Sequence, residues 1–556
     1  MGCTPVEVNL LTEEEAQTLF LSKAVGHDLA LDVKKIAYQI TKECARLPLA
    51  IATVAGSLRG LKEMRDWRNA LDGLTSSTGD ACDVSKVHEQ LKFSYNCLGD
   101  KVLQDCFLYC ALYPEDHEIE LVEVIEYWIV EGFIGERKTE EAEFDEGHAI
   151  LRKLTSSCLL ESSINEFGHE YVRMHDLIRD MALRITASSP RFMVKAGEGL
   201  ESLPCEVWSE DLERVSLMRN RIIELPNVSP VCHRLTTLLL QMNEFRMIPD
   251  SFFNNMPNLE VLDLSRTPIV VLPKSISNLE HLHTILLDSC RQLNDVPSLE
   301  KLKALKVFKL TWSRIKKLPK GIEKLVNLRK LDLRHNKNLV MFPFPGWTLR
   351  KLLKLQHLNL LGTRAAALTE DLLCLTQLEV VAVHFNNLPE LNRYMTSSQV
   401  LRLKRYCLIL DYTYDHSGGL LDHGRNIFIS SEFVPSGTRV DQLQLPSNMS
   451  FLHLNGFHAP NSLSAIPCLK DAIDLRECEI RDCKGLQSIF STSTFPENGQ
   501  ISLGNLRELR LESLPRFRVL FDGIASQHGI YFNMKRLVIH NCDAMKNIIP
   551  VPLLQM

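Results

Sequence analysis

Three groupings in this 556-residue chain carry residue types that could do chemistry. Met174-His175-Asp176 sets an imidazole beside a carboxylate at the end of an expected strand; read alone, that pair is a local structural hydrogen bond. Cys106 and Cys110, with His117 further on, could make a thiol nucleophile and its base, but thiols in an apolar helix are ordinarily inert. Pro48 reads as a helix-start proline. No Gly-x-x-x-x-Gly-Lys-(Ser/Thr) loop occurs, and Gly56-Ser57-Leu58-Arg59-Gly60 lacks its lysine. Sixteen cysteines without a Cys-x-x-Cys pair argue for reduced, mostly buried thiols and against zinc. Binding rather than catalysis is therefore expected.

The elements that would position these residues are helical at first. Thr12-x-x-Glu15 before an apolar stripe is a capping box, Asp32 to Cys44 has helical spacing, and Pro48 opens a further helix. These make a helical segment over 1–78. From 79 to 187 helices lead into a short hairpin, Leu159–Ile164 and Tyr171–Met174 around a turn containing Gly168, in a winged-helix-like order. Residues 188–211 read as a linker.

From Leu212 to the end at Met556 the chain repeats Leu-x-x-Leu-x-Leu-x-x-(Asn/Cys/Thr/Ser). Units begin at Leu212, Leu235, Leu259, Leu282, Leu305, Leu328, Leu355 and Leu378, spaced by 23, 24, 23, 23, 23, 27 and 23 residues. Alternate residues of a short strand point inward, so the leucines stack into a core, while the polar ninth residue bonds backbone groups left open by the turn. A Leu-Pro with following apolar residues, as at Leu272-Pro273 and Leu318-Pro319, returns the chain by a turn or short helix. A helical bundle would need a period near 3.6, which the Leu-x-Leu alternation breaks. After Asn386 the register weakens, and a polar stretch around Tyr412 to Ser436 reads as an insertion. Repeats resume at Met449, Leu475, Leu506 and Met534. The fold class is α+β multidomain: helical and winged-helix segments, then an α/β leucine-rich-repeat solenoid.

The pattern also names the residues facing outward from the strands. Arg214, Ser216, Met218 and Arg219 lie at the first unit, and Val307, Lys309, Thr311 and Trp312 at the fifth. Lys330, Asp332, Arg334 and His335 follow at the sixth. Lys309, Trp312, Lys330, Asp332, Arg334 and His335 form the expected recognition surface for a protein partner, with Trp312 as its aromatic anchor.

Three stretches carry a resemblance. Cys44-Ala45-Arg46-Leu47-Pro48-Leu49-Ala50, then Cys106 through Asp116, then Met174-His175-Asp176-Leu177, with repeats after them, resemble plant nucleotide-binding leucine-rich-repeat disease-resistance proteins of the coiled-coil class. The resemblance covers essentially the whole chain. It implies an intracellular immune receptor, in which ADP holds an inhibited state and ATP exchange leads to defence signalling. Pro48 resembles the proline that packs on the adenine and His175 the histidine that reaches the β-phosphate, with Met174 and Asp176 at the switch hinge. The partners implied are a pathogen effector or guarded host protein, and a nucleotide-binding half in cis.

The sequence departs from that family in lacking the Walker A loop and the Walker B aspartates, the electrostatic parts of phosphoryl transfer. Arg46 also replaces the first glycine of the family's Gly-Leu-Pro-Leu motif. The chain is therefore expected to be an amino-terminally truncated receptor, or alternatively a repeat-only binding protein that acts as decoy or regulator without nucleotide. A net charge of -6 supplies no global field for nucleic acid, and no apolar stretch is long enough to span a bilayer. Without a secretory signal the cytoplasm is the expected location. Membrane association stays open because Met1-Gly2-Cys3 invites acylation, although Val6 stands where that pattern wants Ser or Thr.

Overall fold

In the computed structural model the described residues are 9–24, 30–78, 83–137, 139–166, 168–203, 208–339, 349–364, 368–410, 424–431, 443–457, 461–463, 469, 472–491, 505–522 and 534–545. The chain divides into two compact units: residues 1–267 with 281–284, and residues 268–280 with 285–556.

The first unit opens with five helices, α1 (Glu13–Ala24), α2 (Leu31–Glu43), α3 (Pro48–Ser57), α4 (Met64–Thr78) and α5 (Asp83–Asn96). The expected capping box is formed: Thr12 Oγ1 accepts the Glu15 N–H at 3.2 Å, and the Glu15 carboxylate accepts the Thr12 N–H at 2.9 Å. Phe20, Ile40, Ile51, Val54, Trp67 and Leu74 make one buried core between the helices. Because α5 packs on α3 and α4, the helical bundle runs past residue 78, where its end was expected.

The winged-helix part follows: α6 (Lys101–Cys110), β1 (Ile119–Glu120), α7 (Leu121–Val130), α8 (Glu140–Ser156), β2 (Glu161–Ile164), β3 (Glu170–Arg173) and α9 (Asp176–Ile185). Its antiparallel sheet has the order β1-β3-β2, and the β2–β3 hairpin is the one read from the sequence. Gly147 on α8 sits where a Cβ would lie 2.5 Å from Ile125 Cγ2, so the absent side chain lets α8 approach α7.

The expected linker is a correction. Residues 192–194 form β4 (Phe192–Val194), which pairs in parallel with β5 (Arg214–Ser216), so the solenoid begins inside residues 188–211. Strands β6 (Thr237–Leu239) and β7 (Val261–Asp263) continue that ladder within the first unit. The division between units falls at β8 (Thr284–Leu286).

In the second unit β9 (Val307–Lys309), β10 (Lys330–Asp332), β11 (His357–Asn359) and β12 (Val380–His384) pair in parallel, with α10 (Thr369–Cys374) before β12 and α11 (Leu388–Met395) after it. The ladder goes on through β13 (Arg405–Leu410), β14 (Arg425–Ser430), β15 (Phe451–Asn455), β16 (Glu477–Arg481), β18 (Glu508–Glu512) and β20 (Arg536–His540), while β17 (Ser488–Ser491) pairs with β19 (Val519–Asp522). The supposed insertion at 412–436 thus holds a solenoid strand, β14; its residues 412–423 and 432–436 lie outside the described residues.

The ninth-position reading holds. Asn243 Nδ2 donates to the carbonyls of Leu217 at 2.8 Å and Leu240 at 2.9 Å, and Asn336 Nδ2 to those of Leu310 at 2.7 Å and Leu333 at 2.9 Å. Each amide spans two neighbouring turns, which satisfies buried carbonyls that no strand partner reaches. The Leu-Pro units return through short 3-10 helices at Lys274–Asn278 and Ile322–Lys324.

Candidate functional site

Within the first unit the winged-helix part packs on the strands of the first repeats, and that contact is built from polar groups set in an aromatic cluster. Helix α7 carries Tyr127, and Glu131 caps its C-terminus. The Tyr127 hydroxyl donates to Asp263 Oδ2 at the end of β7, and Gln241 Nε2 donates to that same hydroxyl at 3.3 Å. Asp263 Oδ1 accepts the Ser265 N–H at 2.8 Å. The Glu131 side chain is only 3% exposed; it accepts from Arg214 Nε at 3.1 Å and from Thr237 Oγ1 at 2.7 Å. Ser216 Oγ donates to the Leu112 carbonyl at 2.7 Å.

Around these bonds the rings of Tyr109, Tyr113, Tyr127 and Phe133 stand in tilted and edge-on contacts, and the Arg214 guanidinium lies over Phe133 and Phe192. Cation and ring quadrupole attract, so Arg214 is held by charge on one side and by π-faces on the others. Gly197, at φ +72°, meets Pro114: a Cβ there would lie 2.9 Å from the proline Cβ. Burial pushes the Tyr109, Tyr113 and Tyr127 hydroxyls well above their ordinary range, so they stay neutral, and Tyr113 and Tyr127 donate to the Glu123 and Asp263 carboxylates. Burial also raises the Glu123 carboxyl, which accepts from Tyr113 at 3.0 Å.

This contact corrects one expectation from the repeats. Ser216 and Met218, expected on the open face, are buried, and Arg214 is engaged with Glu131; of those four residues Arg219 alone is exposed. Sequence reasoning missed Tyr127, Glu131, Gln241 and Asp263 as a group. The available signal was the acid at Asp263, a strand position that would otherwise face solvent.

The switch residues are placed as follows. Pro48 stands exposed at the first turn of α3, and Met174 is buried at the end of β3. His175 is the N-cap of α9, its Nδ1 accepting the Leu177 N–H at 3.2 Å. A neutral ring bonded in that way carries its proton on Nε2. Asp176 begins the helix, and its Oδ1 is buried with no hydrogen-bond partner among the described residues. Helix α5 packs against both α3, which Pro48 opens, and α9, which His175 caps. Cys106 and Cys110 are buried, with thiols pushed up by that burial, and His117 stacks on Tyr113 instead of reaching them as a base.

The expected recognition residues lie in the second unit. Trp312 is 37% exposed and stacks on His335 with ring centroids 4.1 Å apart. Lys309, Lys330, Arg334 and His335 are half-exposed. Asp332 differs from its expectation: it is buried, bonded to the Arg334 N–H at 3.2 Å and paired with its guanidinium at 3.3 Å, so it orients Arg334 rather than facing a partner.

A winged helix carried on leucine-rich repeats is thus the class that fold and contact define. Residues 112–182 match the disease resistance protein winged helix domain, 233–291 a leucine rich repeat family, and 437–555 the RPS2-like leucine-rich repeats of plant disease resistance proteins. The chain is 34% identical over 427 residues to disease resistance protein At4g27190 of Arabidopsis thaliana, covering 74% of this chain and 43% of that one. It is 32% identical over 548 residues to the putative disease resistance protein At4g10780 of the same plant, covering 93% of this chain and 58% of that protein. The chain belongs to the plant disease-resistance proteins. It spans about half the length of these relatives. Among the described residues no helix is long and apolar enough to cross a membrane.

Proposed function

We propose that this chain is the sensing portion of an intracellular plant immune receptor. Its repeats recognise a pathogen effector or a modified host protein, and the response passes to an ADP/ATP-controlled switch that starts defence. The observation that carries this reading is the polar contact of Glu131 and Tyr127 with Arg214, Thr237 and Asp263, which ties the first repeats to the domain bearing His175. A change in the repeats is then felt by the winged helix, since a buried ion pair does not yield gradually.

The residues present fit a nucleotide at the winged-helix side. His175 has Nε2 left to donate to a phosphate oxygen, and Pro48 offers an exposed ring to an adenine. Bound ADP would supply negative charge for His175 to hold. Met174, buried, and Asp176, at the helix start, fix the backbone on either side of that imidazole. Because the sequence has no phosphate-loop lysine, this chain alone binds ADP weakly or not at all, and calorimetry showing tight binding overturns that account. Joined to a phosphate-loop module, His175→Ala favours the active state; unchanged defence output in a leaf expression assay counts against the switch role.

A further inference from the structure

The strand-to-turn edge of the second unit carries a row of cations. The residue after the ninth position of four successive repeats is Arg291, Arg314, Lys337 and Arg364, and all four are exposed. The turns are tied in register, Arg314 N–H to the Leu293 carbonyl at 2.8 Å and Arg364 N–H to that of Leu339 at 3.0 Å, so the row advances by one strand spacing, about 5 Å, per repeat. Among the described residues none of the four is ion-paired. Lys316 and Lys317 stand exposed beside the row, and the Trp312–His335 stack borders it. The surroundings reinforce it: residues 301–339 hold thirteen Lys or Arg against two acidic residues, in a chain whose net charge is -6.

We infer that this edge docks an acidic segment of a partner protein, a run of Asp and Glu lying along the cation row with an apolar or aromatic residue against Trp312. The inference rests on reading the repeats as the binding surface and names the chemistry of their partner. Arginine forks take carboxylates two-pronged, and unpaired cations one strand apart match a linear polyanion. A single-stranded nucleic acid needs successive stacking platforms, whereas Trp312 is the one large aromatic exposed among the described residues and has a face occupied by His335. An anionic bilayer would call for apolar anchors along the same edge, and among the described residues the row itself is made of cations.

The test is fluorescence anisotropy of a labelled poly-glutamate peptide with the full chain, beside single-stranded DNA and phosphatidylserine vesicles. The expected result is peptide binding that weakens with salt and falls roughly tenfold or more in Arg314→Glu/Lys337→Glu, while Lys320→Glu on the return turn changes it less than about twofold. Circular dichroism confirms that each variant is folded. Absence of peptide binding, equal loss in both variants, or tighter binding of DNA or vesicles overturns the inference. The leaf assay reads the receptor role separately, so failure there leaves the peptide result standing and failure here leaves the receptor role standing.

Discussion

Tyr127 of the winged helix and Asp263 of the third repeat strand, 136 residues apart, share a buried hydrogen bond, with the carboxylate 2% exposed. The hydroxyl supplies the proton that a carboxylate in a dry contact requires.

Tyr127→Phe leaves Asp263 Oδ2 without that donor and removes the acceptor of Gln241. We expect a loss of about 1–3 kcal/mol in urea unfolding, the cost of an unsatisfied buried group. Unchanged stability would show that this contact is open to water.

Glu131 and Arg214 test the second half of the same contact. Glu131→Gln strands a guanidinium whose side chain is 15% exposed, for a loss of about 3–5 kcal/mol. Combining it with Arg214→Met should recover part of that loss, because the uncompensated charge goes too; a double-mutant cycle with purely additive losses contradicts the pairing.

Two glycines in the helical bundle should respond in opposite senses to alanine. At Gly56 a Cβ would lie 2.8 Å from the Ser157 carbonyl carbon and 2.9 Å from the Ser156 oxygen, which are backbone and cannot swing aside. Gly56→Ala therefore costs about 1–3 kcal/mol. At Gly73, inside α4, the nearest atom is 3.4 Å away on the flexible Phe93 ring, and Gly73→Ala gains about 0.5–1 kcal/mol from the stiffer unfolded chain. Thermal melts of the two variants should move in opposite directions.

His117 gives a pH dependence. Burial first, then the Arg219 charge, lower its pKa to about 4, below the ordinary value near 6.5. Between those values the unfolded chain holds the proton and the folded chain does not, so this group makes stability rise with pH across the window and contributes nothing further above it. Glu123 acts oppositely: burial raises its carboxyl, so the stability it adds is present at low pH and is lost as pH rises through the folded value. His117→Gln should flatten the unfolding free energy between about pH 4 and 6.5, and Glu123→Gln should not. A profile that His117→Gln leaves unaltered refutes the assignment.

The repeat array was legible because each position in a unit has one physical task that few residue types perform. Leu238, Leu262 and Leu331 are fully buried where the period puts them, and Asn243 and Asn336 bond the carbonyls their position demands. The hairpin at Gly168 was legible for the same reason, since its φ of +82° suits glycine. Strand β14 was not. It is buried along nearly its whole length, so Ile427, Phe428 and Ile429 show no alternation, and the polar stretch around them reads as a loop.

What the sequence determined by itself is therefore the repeat, its turns and the helices before it, all set by contacts within a unit or with the next one. Which strand residues stay open to a partner was decided by tertiary structure. Ser216 and Arg214 obey the outward pattern as well as the half-exposed Lys309 and Lys330 do, yet Ser216 and Arg214 are engaged by a domain that begins a hundred residues earlier. Local periodicity fixes the direction in which a side chain leaves its strand. Occupancy of the space beyond it depends on long-range docking, which side-chain spacing does not encode.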